Sequence, residues 1–448
     1  MVQFTHKKRD HYKTSFHRIF YNSGRKEPVM KTLPFSEAEI RRAVSQFPTP
    51  FHLYNAEAIR QNARRLMKAF EWAGGFTNFF AVKACPNPYV LEILMEEGFG
   101  ADCSSASELV LAEMVGITGE MIMYTSNDTS ARELVTAVRE GVIVNLDDIT
   151  FIPFLEKHAG IPELLCLRYN PGPLREGNAL IGKPEEAKYG FTGKQLLEGY
   201  KILRDKGVKR FGLHTMVASN GLDPQYFIAT AEMLFSLVAE ISEELGICFE
   251  FVNLGGGIGI PYMPDQNPVD LEIVSAGIKD LYKDIIIGNG LDPLKIYMEN
   301  GRMIVGPFGC LVTTAIHPMT KYRDYVGVDA CINALMRYAL YGSYHHITVV
   351  GKENDPLTKT YCVTGSLCEN NDYFATDRLL PEIVEGDILV IHDTGAHGHA
   401  MGSNYNGKPR PAEILMDPDG SFRQIRREET TADLFKTLDF SKLRTKSR

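Results

Sequence analysis

The chain has 448 residues, 44% of them hydrophobic, and a formal net charge of -8. That is enough apolar material for a large core in two domains, while the acidic balance argues against a nucleic-acid binder, and no apolar run or charged leader predicts a membrane span or secretory signal. Eight cysteines without a C-x-x-C pair fit reduced thiols in a cytoplasmic protein better than disulfides or a zinc site.

The chain opens on a locally basic stretch (Lys7, Lys8, Arg9, Lys13, Arg18, Arg25, Lys26, Lys31) broken by Asp10, Glu27 and aromatics. It is expected to be a solvated or subunit-contacting arm. Eight β-rich runs follow, at 79–83, 100–103, 121–124, 142–146, 164–169, 210–214, 249–254 and 296–299. Segments of helical period separate them, at 56–72, 108–115, 131–140, 195–205, 224–244 and 270–286. Alternation of this kind predicts parallel strands closed into a (β/α)8 barrel, whose chemistry sits at the C-terminal strand ends. The stretch 171–190 reads as a long loop at the barrel mouth, of the kind that is often functional. Beyond residue 308 the texture changes to short strands and tight turns, at 311–316, 325–328, 346–350, 360–364, 386–392, 411–415 and 420–425, with a short helix near 431–438. This predicts a second, mainly β domain.

The predicted strand ends carry Lys83, Asp102, Asn145, Arg168, His214, the run Gly255-Gly256-Gly257, Glu299 and Arg302. Lys83, at the end of an apolar strand, is expected to be buried, which would favour its neutral, nucleophilic amine. Alone it could equally mark a strand end. The glycine run after the seventh strand offers bare N–H groups to a phosphate, or simply a tight turn. Glu299 can keep a pyridine nitrogen protonated, and Arg302 can fork onto a phosphate or carboxylate, although Glu-x-Gly-Arg also suits a surface turn. Together these four features fit pyridoxal 5'-phosphate. In the β domain Arg337 and Tyr341 lie four apart on one helical face. With Glu369 they could read an amino-acid head, the arginine taking its carboxylate and the glutamate its ammonium. Cys368 is either a proton donor or a buried thiol. His397-x-His399 lacks further ligands nearby, so no metal is expected.

From about Phe47 to Asp439 the chain resembles the fold-type III pyridoxal-phosphate decarboxylases, and among them most closely the diaminopimelate decarboxylases. The blocks that carry the resemblance are Phe80-Ala81-Val82-Lys83-Ala84, Leu254-Gly255-Gly256-Gly257-Ile258-Gly259, Glu299-Asn300-Gly301-Arg302, Cys368-Glu369, Asp393-Thr394-Gly395-Ala396 and Ser403-Asn404-Tyr405-Asn406. The resemblance implies a barrel over 47–308, a β domain over 309–448, and an arm over 1–46 that partly joins the β domain. It implies that Lys83 attaches the cofactor and that Glu299 pairs the pyridine nitrogen. Ser219 with Gly255, Gly256 and Gly257 would hold the phosphate, and Asp102, Met216, Gly301, Arg302 and Tyr405 would also line the cofactor. Arg302, Arg337, Tyr341, Glu369 and Tyr405 would line a small amino-acid substrate, with Cys368 the proton donor once CO2 has left. Cys368 and Glu369 would act in the neighbouring subunit of a homodimer with shared sites. No nucleic acid or membrane partner is implied.

Within this group Arg337, Tyr341 and Glu369 favour meso-diaminopimelate, cut at its D centre to L-lysine, because a buried arginine rejects a substrate that lacks the matching anion. Departures from the family pattern are Met216 for a ring-stacking histidine, Ala218 for a glycine, Asn300 for a proline, His397 for a frequent tyrosine, and the loop 175–190. A sister decarboxylase of another D- or meso-amino acid, and a cofactor-binding homologue without turnover, are the alternatives.

Overall fold

The computed structural model describes residues 31–177 and 180–443; residues 1–30, and with them most of the basic arm, lie outside the described residues. Strand β1 (Phe51–Asn55) precedes the eight barrel strands β2 (Thr77–Ala81), β3 (Gly100–Cys103), β4 (Ile122–Thr125), β5 (Ile143–Leu146), β6 (Leu164–Tyr169), β7 (Arg210–Thr215), β8 (Phe249–Asn253) and β9 (Lys295–Met298). Strands β2 to β9 close in chain order into a parallel barrel, as the alternation predicts. The side-chain period of two divides each strand between two cores. Phe79, Ile143, Leu164 and Cys166 point inward with Phe251 and Tyr297, while their neighbours Phe80, Val144, Leu165 and Leu167 pack against the outer helices. The Phe251 and Tyr297 rings stack 4.6 Å apart and plug the barrel. Toward the C-terminal strand ends the interior turns polar, with Asp102, Asn145, His214, Asn253 and Glu299 all buried.

The helices start where the sequence supplies caps. Ser130 with Glu133 and Thr192 with Gln195 form capping boxes, and Asp223 caps the long helix Pro224–Leu245, which has proline in its first turn. Each side chain satisfies amide groups that a helix end leaves open.

The remaining strands are β10 (Gly309–Thr320), β11 (Asp324–Val328), β12 (Ile347–Val349), β13 (Lys359–Thr364), β14 (Tyr373–Leu380), β15 (Ile388–Ile391), β16 (Ala412–Met416) and β17 (Phe422–Arg426). They form a nine-stranded sheet with β1, in the order β14-β13-β11-β10-β1-β16-β17, while β15 bridges β10 and β12. Two sequence expectations need correction here. Residues 51–55, read as part of the barrel stretch, instead form β1 of the second sheet, antiparallel to β10 and parallel to β16. They are buried on both faces, which only a central strand can provide. Strand β14 was not expected. Among the described residues it pairs only with β13, through two register shifts, and carries Asp377 at a positive φ of 50°, so its pattern is that of an irregular edge. The helix Glu37–Gln46 covers this sheet through Ile40 and Ala43. Among the described residues no helix is long and apolar enough to cross a membrane.

The barrel closes between β2 and β9, where the register pairs only Thr77 with Tyr297 and Asn78 with Met298. Asn78 completes the seam: its amide nitrogen donates to the Asn300 carbonyl at 3.0 Å, and its oxygen accepts the Asn300 N–H at 2.9 Å. A proline at 300 could not make the second bond. Asn78→Ala would leave both buried backbone groups unpaired, so a loss of about 3 kcal/mol is expected, read from the urea unfolding midpoint.

Candidate active site

The C-terminal end of the barrel and the second domain enclose a cavity of about 210 Å³, into which the two halves each send side chains. From the barrel come Lys83, Asp102, Met216, Ser219, Gly257, Glu299, Gly301 and Arg302; from the β domain come Arg337 and Tyr341. All ten were expected from the sequence. Lys83 itself departs from expectation. Strand β2 ends at Ala81, and Lys83 occupies the 3₁₀ turn Val82–Ala84. Its side chain is 56% exposed and reaches toward the buried Asp102, with 3.8 Å between Nζ and Oδ2. The turn lifts the amine out of the packed strand and into the open cavity. Gly301 lets the end of β9 approach this turn, since a Cβ there would lie 2.8 Å from that of Ala84.

Two carboxyl groups share the floor of the cavity and titrate apart. Glu299 accepts from Asn253 at 2.8 Å and lies 3.1 Å from His214 Nε2. Asn145 donates to His214 Nδ1 at 2.9 Å, which leaves Nε2 as the nitrogen that carries hydrogen toward Glu299. Burial alone would raise the Glu299 pKa, but His214, Lys83 and Arg168 outweigh it and hold the carboxylate below its ordinary range. Asp102 moves the other way. Burial, then the Glu299 charge, push its pKa well above the usual carboxylate range against the pull of Lys83. Its Oδ1 is buried with no hydrogen-bond partner among the described residues. The two carboxyl groups are thus pushed in opposite directions, Glu299 toward its charged form and Asp102 toward its neutral form.

The glycine run sits tightly against the end of β7. Gly255 and Gly257 have φ values of 70° and 96°, and a Cβ on either would meet Thr215 or Ala218 backbone oxygens at 2.2 and 2.5 Å. Gly255 donates to Asn253 Oδ1 at 2.8 Å and Gly256 donates to the Met216 sulfur at 3.3 Å. Both N–H groups are thus turned inward, and of the three glycines only Gly257 lines the cavity, beside Ser219 and Asn220. Ala218 does not take a positive φ, so the alanine there carries no backbone strain.

The opposite wall is cationic. Arg337 is 2% exposed; it donates to Ser343 Oγ at 3.3 Å, and its guanidinium lies 5.1 Å from the Tyr262 ring and 6.0 Å from that of Tyr341. Its Nε has no hydrogen-bond partner among the described residues. Burial lowers its pKa, with Tyr262 opposing and the neighbouring Arg302 adding to the fall. Arg302 donates to Tyr262 Oη at 2.7 Å. Among the described residues neither guanidinium has an acidic partner, and a buried cation left so is costly unless an anion joins it.

Besides Gly255 and Gly256, three further expected residues stay outside the cavity. Cys368 is exposed and donates its backbone N–H to Asn406 Oδ1 at 2.8 Å. Glu369 accepts the Asn371 N–H at 3.1 Å within its own loop. Tyr405, expected beside cofactor and substrate, is 55% exposed. Asn333 holds the Tyr405 carbonyl at 3.0 Å, so its turn faces outward, and the same stretch of chain sends His397 and Met401 to the cavity wall instead. His397 has a φ of 56° and donates its N–H to the Ala84 carbonyl at 2.8 Å. Burial, then Arg302, Arg337 and Lys83, keep its imidazole neutral. Leu180, from the long loop, completes the rim. Tyr262 and Asn253 were not singled out as functional by sequence, and His214 was placed at a strand end without a role; Tyr262 closes the Gly255–Gly259 block three residues on, which was the available signal.

The sequence profile of the family described as pyridoxal-dependent decarboxylase, pyridoxal binding domain, matches residues 56–306. Protein TabA of Pseudomonas amygdali pv. tabaci is 40% identical over 408 residues, 90% of this chain and 95% of that protein. The diaminopimelate decarboxylase of Methanothermobacter thermautotrophicus is 37% identical over 404 residues, 89% of this chain and 94% of that protein. Among solved structures, diaminopimelate decarboxylase from Helicobacter pylori complexed with L-lysine superposes with a TM-score of 0.78 at 28% identity, covering 88% of this chain and 98% of that one. The cavity fits the cofactor that the family name states: an amine for its aldehyde, an ionised carboxylate for its ring nitrogen, a glycine-lined wall with Ser219 for its phosphate, and the unpartnered Asp102 Oδ1 on the floor. The chain belongs to the pyridoxal-dependent decarboxylases and is an amino-acid decarboxylase that works with pyridoxal phosphate.

Proposed function

We propose that the chain removes CO2 from the D centre of meso-diaminopimelate to give L-lysine, in a homodimer with shared active sites. The observation that carries the substrate is Arg337, a buried guanidinium on the cavity wall with no acidic partner among the described residues. A substrate with a second carboxylate far from its reacting centre supplies that partner, and Tyr341 and Tyr262 flank the same position. Relatives named diaminopimelate decarboxylase support the choice.

When bound, the cofactor supplies an electron sink for the pair left on Cα as CO2 departs. Lys83 would attach its aldehyde, and Glu299, kept ionised by His214 and Asn253, would hold a proton on the ring nitrogen. Ser219 and Gly257 would hold the phosphate, with Arg302 between phosphate and substrate. Arg337 and Tyr341 would fix the distal carboxylate, which also selects which stereocentre faces the ring. Cys368 would return a proton to Cα, and Glu369 would hold the distal ammonium. Both stand on the outer surface of their own subunit, which suits delivery to a neighbour. The eight free thiols suit a cytoplasmic setting.

A sister activity on another D- or meso-amino acid is the second possibility. It is favoured by Met216 and His397 in the cavity wall and by the 40% identity to Protein TabA.

Arg337→Ala is expected to raise KM for meso-diaminopimelate at least tenfold, the equivalent of about 1.4 kcal/mol of lost charge-assisted contact. An unchanged KM would place the distal carboxylate elsewhere. Mixing inactive Lys83→Ala with inactive Cys368→Ala subunits should restore activity that neither has alone. If the mixture stays inactive after subunit exchange is demonstrated, the shared site is wrong.

A further inference from the structure

The turn that carries Lys83 is fastened to the second domain by a buried charge. Asn87, fully buried four residues after Lys83, caps the helix Pro88–Glu96 with its oxygen, which accepts the Tyr89 N–H at 3.1 Å. Its other amide atom, Nδ2, donates to Glu413 Oε2 at 3.0 Å. Glu413 lies on β16 of the second sheet and is 2% exposed. Tyr54, on β1, donates to its Oε1 at 2.7 Å, and Arg426, on β17, pairs with its Oε2. Arg426 also reaches the Pro86 carbonyl at 2.9 Å. With the His397 N–H on Ala84 and the Cys85 side chain against Tyr54 of β1, each of the four residues after Lys83 is bonded to the second sheet or its loops.

The titratable and charged groups that face Glu413 are Arg426 from β17, His399 at 4.0 Å from the loop before β16, Tyr54 and His52 from β1, and Cys85 from the Lys83 segment itself. Burial would raise its pKa, but His399 and Arg426 outweigh this and hold it at about 2. The carboxylate is thus ionised throughout the working range. A neutral isostere would weaken the Asn87 and Arg426 contacts without emptying the space.

We infer that Glu413 is a positioning residue for the reaction: through Asn87 and the Arg426–Pro86 contact it sets the height of the Lys83 turn over the cavity. Among the described residues, Glu413 and its own partner Arg426 are the charged side chains of the second domain bonded to this turn. The inference rests on the proposed attachment of the cofactor at Lys83. A shift of the turn by a fraction of an ångström changes the angle at which the amine meets the cofactor's aldehyde, and small misplacements of this kind are costly in rate.

The test compares wild type, Glu413→Gln, Asn87→Ser and Lys83→Ala, each purified with pyridoxal phosphate. Asn87→Ser keeps a helix-capping oxygen and removes only the donor to Glu413, so it reports if Glu413→Gln fails to fold. The readouts are the visible absorbance of the lysine-bound cofactor titrated against pH, kcat and KM separately, and the thermal midpoint. Both Glu413→Gln and Asn87→Ser should move the midpoint of the absorbance titration in the same direction and lower kcat at least fivefold with KM changed less than threefold. A lower thermal midpoint with unmoved titration and kcat in the folded variants would overturn the inference and leave Glu413 a structural residue only. Absorbance of the bound form retained in Lys83→Ala would instead overturn the attachment site on which it rests.

Discussion

One buried negative charge organises the site. A carboxylate at the position of Glu299, 7% exposed, would be protonated by burial if nothing opposed it. His214 from β7, with Lys83 and Arg168, opposes this; Asn253 from β8 donates to the same carboxylate, and Asn145 from β5 fixes the histidine tautomer. Three strands of the barrel thus converge on a single carboxylate. The consequence reaches Asp102 across the floor, whose pKa burial and then the Glu299 charge push upward against the pull of Lys83. Both carboxyl roles follow from where the barrel closes, so the closure at Asn78 and Asn300 supports the chemistry as much as the fold.

Above this floor the charge balance is reversed. Arg302 and Arg337 flank Tyr262, and neither finds an acid among the described residues. With His397 kept neutral beside them, the two guanidinium groups give the cavity two different halves, a floor of carboxyl groups and a cationic wall that attracts anions. The wall depends on the second domain, because Arg337, Tyr341, His397 and Met401 all come from it. Catalysis here is therefore sensitive to how the domains are joined, which is where Glu413 lies.

Much of this could be read in the sequence, for identifiable reasons. The eight barrel strands are short, β-rich and separated by strongly periodic helices, so period and alternation located all of them. Lys83, Glu299 and Arg302 stood at strand ends, where a barrel exposes side chains. What could not be read depended on the third dimension. Strand β1 looks like any apolar run, and only its pairing with β10 and β16 assigns it to the second sheet. Lys83 was expected to be buried, and a single turn of 3₁₀ backbone instead opens it to the cavity. Tyr405 and His397 lie eight positions apart on one loop, and which of them faces inward is decided by backbone bonds to Asn333 and Ala84. Glu299 could be proposed as a charge, but the network that keeps it charged joins residues 145, 214 and 253 from separate strands.

The central claim is that the basic wall selects a substrate by its second carboxylate. D-lysine differs from meso-diaminopimelate by the loss of that group alone, so the ratio of kcat/KM for the two measures the selection directly. A preference for meso-diaminopimelate of at least a hundredfold is predicted, in keeping with a site that leaves a buried charge unpaired when the matching group is missing. Equal kcat/KM values for the two amino acids would contradict it.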